Sequence, residues 1–185
     1  MDYQKIIEEW RQIADDFFAA KGKLFEKVAG LLRKNLRDGH KVLIFGNGGS
    51  ASQAQHFAAE LVNKFLKERA ALRAVALTTD TSALTSIAND TSFDYVFSRQ
   101  IEALGDKGDV AIGLSTSGNS ANVIEAMKAA KKKGLLTVAL TGKGGGKVSQ
   151  FADYLLDVPS KSTPRIQEVH LLLLHLLAQE IEKAL

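Results

Sequence analysis

The chain has 185 residues, 45% of them hydrophobic and 24% charged, with a net charge of +3 and no cysteine. That length suits one domain with a buried core, and the composition excludes a disordered tail, a collagenous repeat or an end-to-end coiled coil. The missing cysteine removes disulfides, thiolate metal sites and cysteine nucleophiles together. No apolar run approaches the ~18–20 residues of a membrane span. Met1–Lys5 has no basic segment leading into an apolar stretch, so the expected location is cytoplasmic.

The first 38 residues read as a helical leader without a strand. Ile6, Trp10, Ile13 and Phe17 share one helical face. Gly22 is the expected break, and Leu24, Val28, Leu31 and Leu32 form a second stripe. A short buried strand at Lys41–Phe45 then leads into Gly46–Ser50 and a helix from about Ser50 to Lys64. Ala74–Leu77 is a second strand. Ser82–Ile87 and Tyr95–Leu104 read as helices around a loop at Asn89-Asp90. Asp109–Leu114 is a third strand, followed by Ser115–Ser120 and a helix over Ala121–Lys133 with Gly134 as its C-cap. The Lys131–Lys133 run suits the negative end of that helix dipole, and nucleic-acid binding is not expected. Strands at Leu135–Leu140 and Tyr154–Val158 follow. Thr163 caps a last helix with Pro164 at its first position, where a missing N–H costs nothing. The alternation predicts an α/β fold, a three-layer α/β/α sandwich on a five-stranded parallel sheet. Ligands of such sheets bind beyond the carboxyl ends of the strands, where Gly46–Ser50, Thr78–Asp80 and Ser115–Ser120 lie.

Gly46–Ala51 can be read as G-x-G-x-x-A, a dinucleotide fingerprint. No acidic residue stands convincingly ~20 residues on to hold a ribose, because Glu60 falls inside the helix and Asp80 is further away. Asn47 and Ser50 favour a ligand loop of another kind. Ser115-Thr116-Ser117-Gly118-Asn119-Ser120 puts four hydroxyls at a helix start, where free N–H groups and partial positive charge suit a phosphate. N-capping needs only one such residue, and no following lysine makes this a nucleoside triphosphate loop.

His56 and Glu60 are i, i+4 on one helix face, and Gln167 and His175 are i, i+8 on another. Two imidazoles, a carboxylate and an amide oxygen suit a zinc ion, with glutamine the least usual ligand. Equally, His175 among Leu171–Leu177 reads as a core histidine, and His56 and Glu60 as surface polar residues. Spacing alone does not decide between these.

These segments in this order, F-G-N-G-G-S, Q-H-F-A-A-E-L, I-A-N-D, S-T-S-G-N-S and R-I-Q-E-V-H with a later His, are similar to the sugar isomerase (SIS) domain family. Within it the chain most resembles the sedoheptulose-7-phosphate, or phosphoheptose, isomerases, over essentially its whole length. The resemblance implies a single SIS domain over residues 1–185, flavodoxin-like, whose 1–38 leader serves oligomer packing. It implies a homotetramer with active sites between subunits. Asn47, Gly48, Gly49, Asn89 and Asp90 would contact the sugar, and Ser115, Thr116, Ser117 and Ser120 its phosphate. One Zn²⁺ per subunit would be held by His56, Glu60, Gln167 and His175, of which Glu60 and Gln167 also face substrate and Glu60 and His175 form the acid–base pair. The implied product is D-glycero-D-manno-heptose 7-phosphate, a precursor of surface-polysaccharide heptose.

One departure stands out, since family isomerases often carry Asp before R-I-Q-E, where this chain has Pro164. A second reading comes from the replication-initiator-associating protein of bacteria, a non-enzymatic relative similar in the same segments. It lacks the Glu and second His that Glu60 and His175 supply here. A 6-phospho-3-hexuloisomerase, lacking the H-x-x-x-E and R-I-Q-E arrangement, ranks third. A sugar-phosphate-sensing module would need a fused DNA-binding domain.

Overall fold

The computed structural model describes residues 2–183. Five strands, β1 (Val42–Gly46), β2 (Ala74–Ala76), β3 (Val110–Ser115), β4 (Leu136–Thr141) and β5 (Tyr154–Asp157), pair in parallel in the order β2-β1-β3-β4-β5. This is the doubly wound order whose crevice opens between β1 and β3. Strand alternation sends successive side chains to opposite layers. Val42, Ile44, Ile112, Leu114, Val138 and Leu140 join the core under helices α1 (Tyr3–Arg37), α2 (Gly49–Val62) and α6 (Thr163–Glu182). Leu43, Phe45, Ala111 and Ala139 join the core under α4 (Ser98–Leu104) and α5 (Ala121–Lys133), where α3 (Thr81–Asp90) adds Leu84 and Ile87. The fold is therefore a three-layer α/β/α sandwich with a long N-terminal helix.

The leader is one unbroken helix of 35 residues, capped by Asp2, whose side chain accepts from the Lys5 N–H. Gly22 does not break it. A glycine costs a helix interior ~1 kcal/mol, whereas each large apolar side chain buried on either side returns ~1.5–3 kcal/mol. Phe17, Phe25, Val28 and Leu32 are all buried, and the helix continues through the glycine. The helix lies along α6 and reaches β5, where Lys21 pairs with Asp157 and donates to the Leu155 carbonyl.

Other boundaries differ from expectation: the helix expected from Tyr95 starts at Ser98, after a 3-10 turn over Phe93–Tyr95. Asn89 and Asp90 form the last turn of α3 rather than a loop, and the chain leaves helical geometry at Thr91. Asp80 caps that helix by accepting from the Ala83 N–H, which commits its carboxylate to structure. Ser162 is the N-cap of α6, so Thr163 is already helical and Pro164 lies one step further in. The first turn still tolerates proline because its N–H groups have no intrahelical partner. No described helix is long and apolar enough to cross a membrane.

Candidate active site

Gly46, Ser115 and Thr141 end β1, β3 and β4, so the polar loops leave the sheet along one edge. Gly46 is there because a Cβ would lie 2.8 Å from Ser50 Cβ and 2.9 Å from the Leu114 carbonyl. Asn47 and Asn122 exchange side-chain amide hydrogen bonds at 2.8 and 2.9 Å, which ties the first loop to the start of α5. A cavity of about 140 Å³ beside them is lined by Asn47, Gly48, Ala51, Thr78, Leu84 and Phe93, among others. Asn89 and Asp90 are exposed five and six residues after Leu84 on α3, and the Asn89 amide donates to the Asp90 carboxylate at 2.8 Å.

Backbone contacts tie the hydroxyl-rich loop to the segment after β4. The Gly142 N–H donates to the Thr116 carbonyl and the Val148 N–H to the Gly118 carbonyl. Gly118 has φ +65°, and a Cβ on it would fall 2.1 Å from the Gly145 carbonyl oxygen. Ser120 is the N-cap of α5 but makes no side-chain cap bond. Its hydroxyl instead lies 3.0 Å from that of Ser115. Ser117 Oγ accepts from the Asn119 N–H. A helix start whose N-cap hydroxyl leaves the first-turn N–H groups alone is a ready anion site.

His56, Glu60 and His175 converge. Their ligand atoms all lie within 4.8 Å of one another. His56 Nε2 is 2.7 Å from His175 Nε2 and 3.3 Å from Glu60 Oε1. Phe65 stacks on the His175 ring, with centroids 5.5 Å apart and planes at 27°. His175 therefore faces the α2 residues across the α2–α6 seam, away from the leucine core. Two imidazoles and a carboxylate are a donor set that Zn²⁺ takes. Tetrahedral bonds of ~2.0–2.1 Å separate neighbouring donors by roughly 3.3 Å. The His56–Glu60 pair already has that spacing, and the two rings fit it by parting slightly.

Gln167 lies at the glycine loop. Its side-chain amide packs against Gly49, where a Cβ would be 2.7 Å from its nitrogen and 3.0 Å from its oxygen. Gly49 precedes His56 by two turns of α2, about 10 Å of helix rise. Within one chain the structure brings three of the four expected ligands together and places the fourth at the glycine loop. Gln53, one turn before His56, donates to the Gln167 carbonyl at 2.7 Å, while its own Oε1 is buried without a partner.

The SIS domain family matches residues 5–142. The phosphoheptose isomerase of Campylobacter jejuni is 52% identical over 180 residues, covering 97% of this chain and 96% of that one. That of Aquifex aeolicus is also 52% identical over 180 residues, covering 97% and 94%. The chain belongs to the phosphoheptose isomerase family. The solved structure of the Neisseria gonorrhoeae phosphoheptose isomerase superposes with a TM-score of 0.91 at 46% identity, covering 97% and 96%.

Several residues around this phosphoheptose isomerase-family site escape a reading of the sequence. Asn122 is one of them, although a polar residue at an inward position of Ala121–Ile124 is a usable signal. Phe65 is the one aromatic residue in a polar stretch. Arg69 and Glu182 form a buried ion pair at 3.1 Å behind it. Burial works to raise the Glu182 carboxyl, but the N–H groups of Phe65, Leu66 and Lys67, with Arg69, outweigh it and hold it below the usual range. His170 lies in the core and its Nε2–H donates to the Thr141 carbonyl at 3.1 Å, leaving Nδ1 without a partner. Burial pushes its pKa down to about 4, so it is neutral near pH 7.

Proposed function

We propose that the chain interconverts sedoheptulose 7-phosphate and D-glycero-D-manno-heptose 7-phosphate, as a cytoplasmic homotetramer with one Zn²⁺ per subunit. The observation that carries this reading is the meeting of Glu60, His56 and His175 in a chain that also presents an open, hydroxyl-rich helix start. Moving a carbonyl from C2 to C1 needs a proton taken from C1 and one returned to C2. It also needs a proton exchanged between O1 and O2, and support for negative charge on oxygen. Glu60 takes the C1 proton and delivers it to C2. His175 donates to O2 as the enediolate forms and accepts from O1 as it collapses, so no net proton is gained or lost. Zn²⁺ held by His56, Glu60 and His175 would act as a Lewis acid toward the sugar oxygens.

Ser115, Thr116, Ser117 and Ser120 bind the phosphate, whose remote binding energy fixes the reacting carbons. Asn47, Gly48, Gly49, Asn89 and Asp90 orient the sugar hydroxyls, and Gln167 does so from α6. Gln167 completes the zinc ligands only if its amide leaves Gly49. The two-turn separation of Gly49 from His56 supports active sites assembled between subunits. So does an apolar cavity of about 390 Å³ between the start of α1 and α6, lined by Ile6, Ile7, Trp10 and Leu171 among others. In this reading the leader packs against a neighbouring subunit.

The test is to incubate the purified protein with sedoheptulose 7-phosphate and follow aldoheptose phosphate by NMR. Formation that stops on chelation and returns with Zn²⁺ is the expected result. Formation indifferent to chelation removes the metal from the reading. No formation even with Zn²⁺ moves the chain to the non-enzymatic, initiator-binding relatives.

A further inference from the structure

Arg69 and Glu182 lie outside the residues that meet substrate, yet their side chains are only 6% and 2% exposed. A buried ion pair in an otherwise exposed 63–70 segment is costly unless its hydrogen bonds are complete. These are. The Arg69 guanidinium donates to the carbonyls of Glu60 at 2.6 Å and Leu61 at 2.8 Å, with further bonds to Asn63 and Ala70. Those acceptors include the orphan carbonyls that end α2. Its Nε donates to Glu182 on α6. Glu182 in turn accepts from the N–H groups of Phe65, Leu66 and Lys67 at 2.7, 2.8 and 3.1 Å. That fixes the segment whose Phe65 ring stacks on His175.

We infer that the Arg69–Glu182 pair is a positioning clamp for the acid–base and metal-ligating group. It joins the end of α2, which carries His56 and Glu60, to the end of α6, which carries His175, and holds Phe65 against the His175 ring. The alternative is that the pair only stabilises the fold. Geometry separates the two. Apart from the Arg69 bonds to the Asn63 and Ala70 carbonyls, the clamp's bonds beyond the ion pair end on Glu60, on its neighbour Leu61, or on the backbone that presents Phe65, whereas the Ser115–Ser120 loop and Asn47 belong to the sheet edge. Loosening the clamp therefore disturbs the chemistry and the metal, and spares phosphate binding. The inference rests on the proposed function for its kinetic and Zn²⁺ parts, and the ring contact stands without it.

The test uses Arg69→Lys, which keeps the charge beside Glu182 but cannot reach the Glu60 and Leu61 carbonyls at once. Three readouts are taken on the full chain: the ring-proton shifts of His175 in metal-free protein, Zn²⁺ affinity by competition with a chelating dye, and kcat and KM with sedoheptulose 7-phosphate. His175→Gln assigns the His175 signals. The expected result is loss of the upfield ring-current shift that Phe65 imposes on His175. Zn²⁺ binding should weaken about 10-fold and kcat fall about 10-fold, the range seen when a group supporting a metal ligand is removed. KM should stay within about twofold. A lowered melting temperature with His175 shifts, Zn²⁺ affinity and kcat unchanged would overturn the clamp. If Arg69→Lys does not fold, Phe65→Leu, which leaves the ion pair intact, takes its place. Unchanged Zn²⁺ affinity and kcat there overturn the proposal equally. A wild-type chain without isomerase activity would sink the isomerase reading, while the ring shifts still decide the clamp.

Discussion

Asn47 and Asn122 face each other amide to amide, each donating to the other's oxygen, at 2.8 and 2.9 Å. Asn122 is buried and Asn47 is half-buried beside the cavity, so the pair fixes which way the Asn47 amide can turn. Removing Asn122 leaves the half-buried Asn47 amide without its donor and acceptor partners, at ~1 kcal/mol, the low end for an unmet buried group. Asn122→Ala should lower stability by about that amount in urea melts and raise KM for the sugar phosphate several-fold. An unchanged KM would show that Asn47 needs no partner to hold substrate.

Gly118 sits where no side chain fits. Its φ is +65°, and the obstacle 2.1 Å from a built Cβ is the Gly145 backbone carbonyl, which cannot swing aside as a side-chain tip can. Gly118→Ala must displace the phosphate loop from the Gly142–Gly146 turn. A strained left-handed residue alone costs ~1–3 kcal/mol. Affinity for inorganic phosphate, measured by calorimetry, should fall at least 10-fold, and the melting temperature should drop with it.

Glu60 is the residue whose loss should cost turnover most. Positioned acid–base groups contribute ~10²–10⁴ in rate. Glu60→Gln should reduce kcat by about 10³ while the phosphate loop keeps substrate affinity near normal. Solvent-deuterium incorporation at C1 of sedoheptulose 7-phosphate, followed by NMR, reports that step directly. Wild-type incorporation in the variant would assign the base elsewhere.

His170 ties stability to pH. It is neutral in the folded chain with a pKa of about 4 against an ordinary 6.5, chiefly through burial. Between those values the unfolded chain binds the extra proton, so stability rises with pH across that window and is lost on acidification. The full difference is roughly 3 kcal/mol for this one group. Urea unfolding of wild type and His170→Phe from pH 7 to pH 4 measures it. The variant should lose that part of the acid dependence, and parallel curves would show that another group carries it.

Periodicity and punctuation were enough to place most elements. The helix over Ala121–Lys133 is found at those residues, and Gly134 ends it with φ +78°. Two of the differences share a cause, because packing at a distance decided them. Gly22 is a breaker by local propensity, but burial of Phe17 and Phe25 on either side overrides it. Asn89 and Asp90 have turn-forming side chains, yet α3 continues through them while Leu84 and Ile87 lean on the second core.

The sequence by itself determined the parallel α/β sheet, the edge at which its loops emerge, and the residue types available for chemistry there. These follow from local propensity and from side-chain period, which neighbours in the chain impose. Only the tertiary structure decided that His175 turns out of its leucine run to meet His56 and Glu60 across 119 residues. It also decided that Gln167 rests on Gly49, that Asn122 pairs with Asn47, that Phe65 stacks on His175 and that Arg69 pairs with Glu182. Those relations depend on how α2, α5 and α6 pack across the sheet. Packing direction is fixed by the whole core rather than by any stretch of sequence, so no local pattern records it.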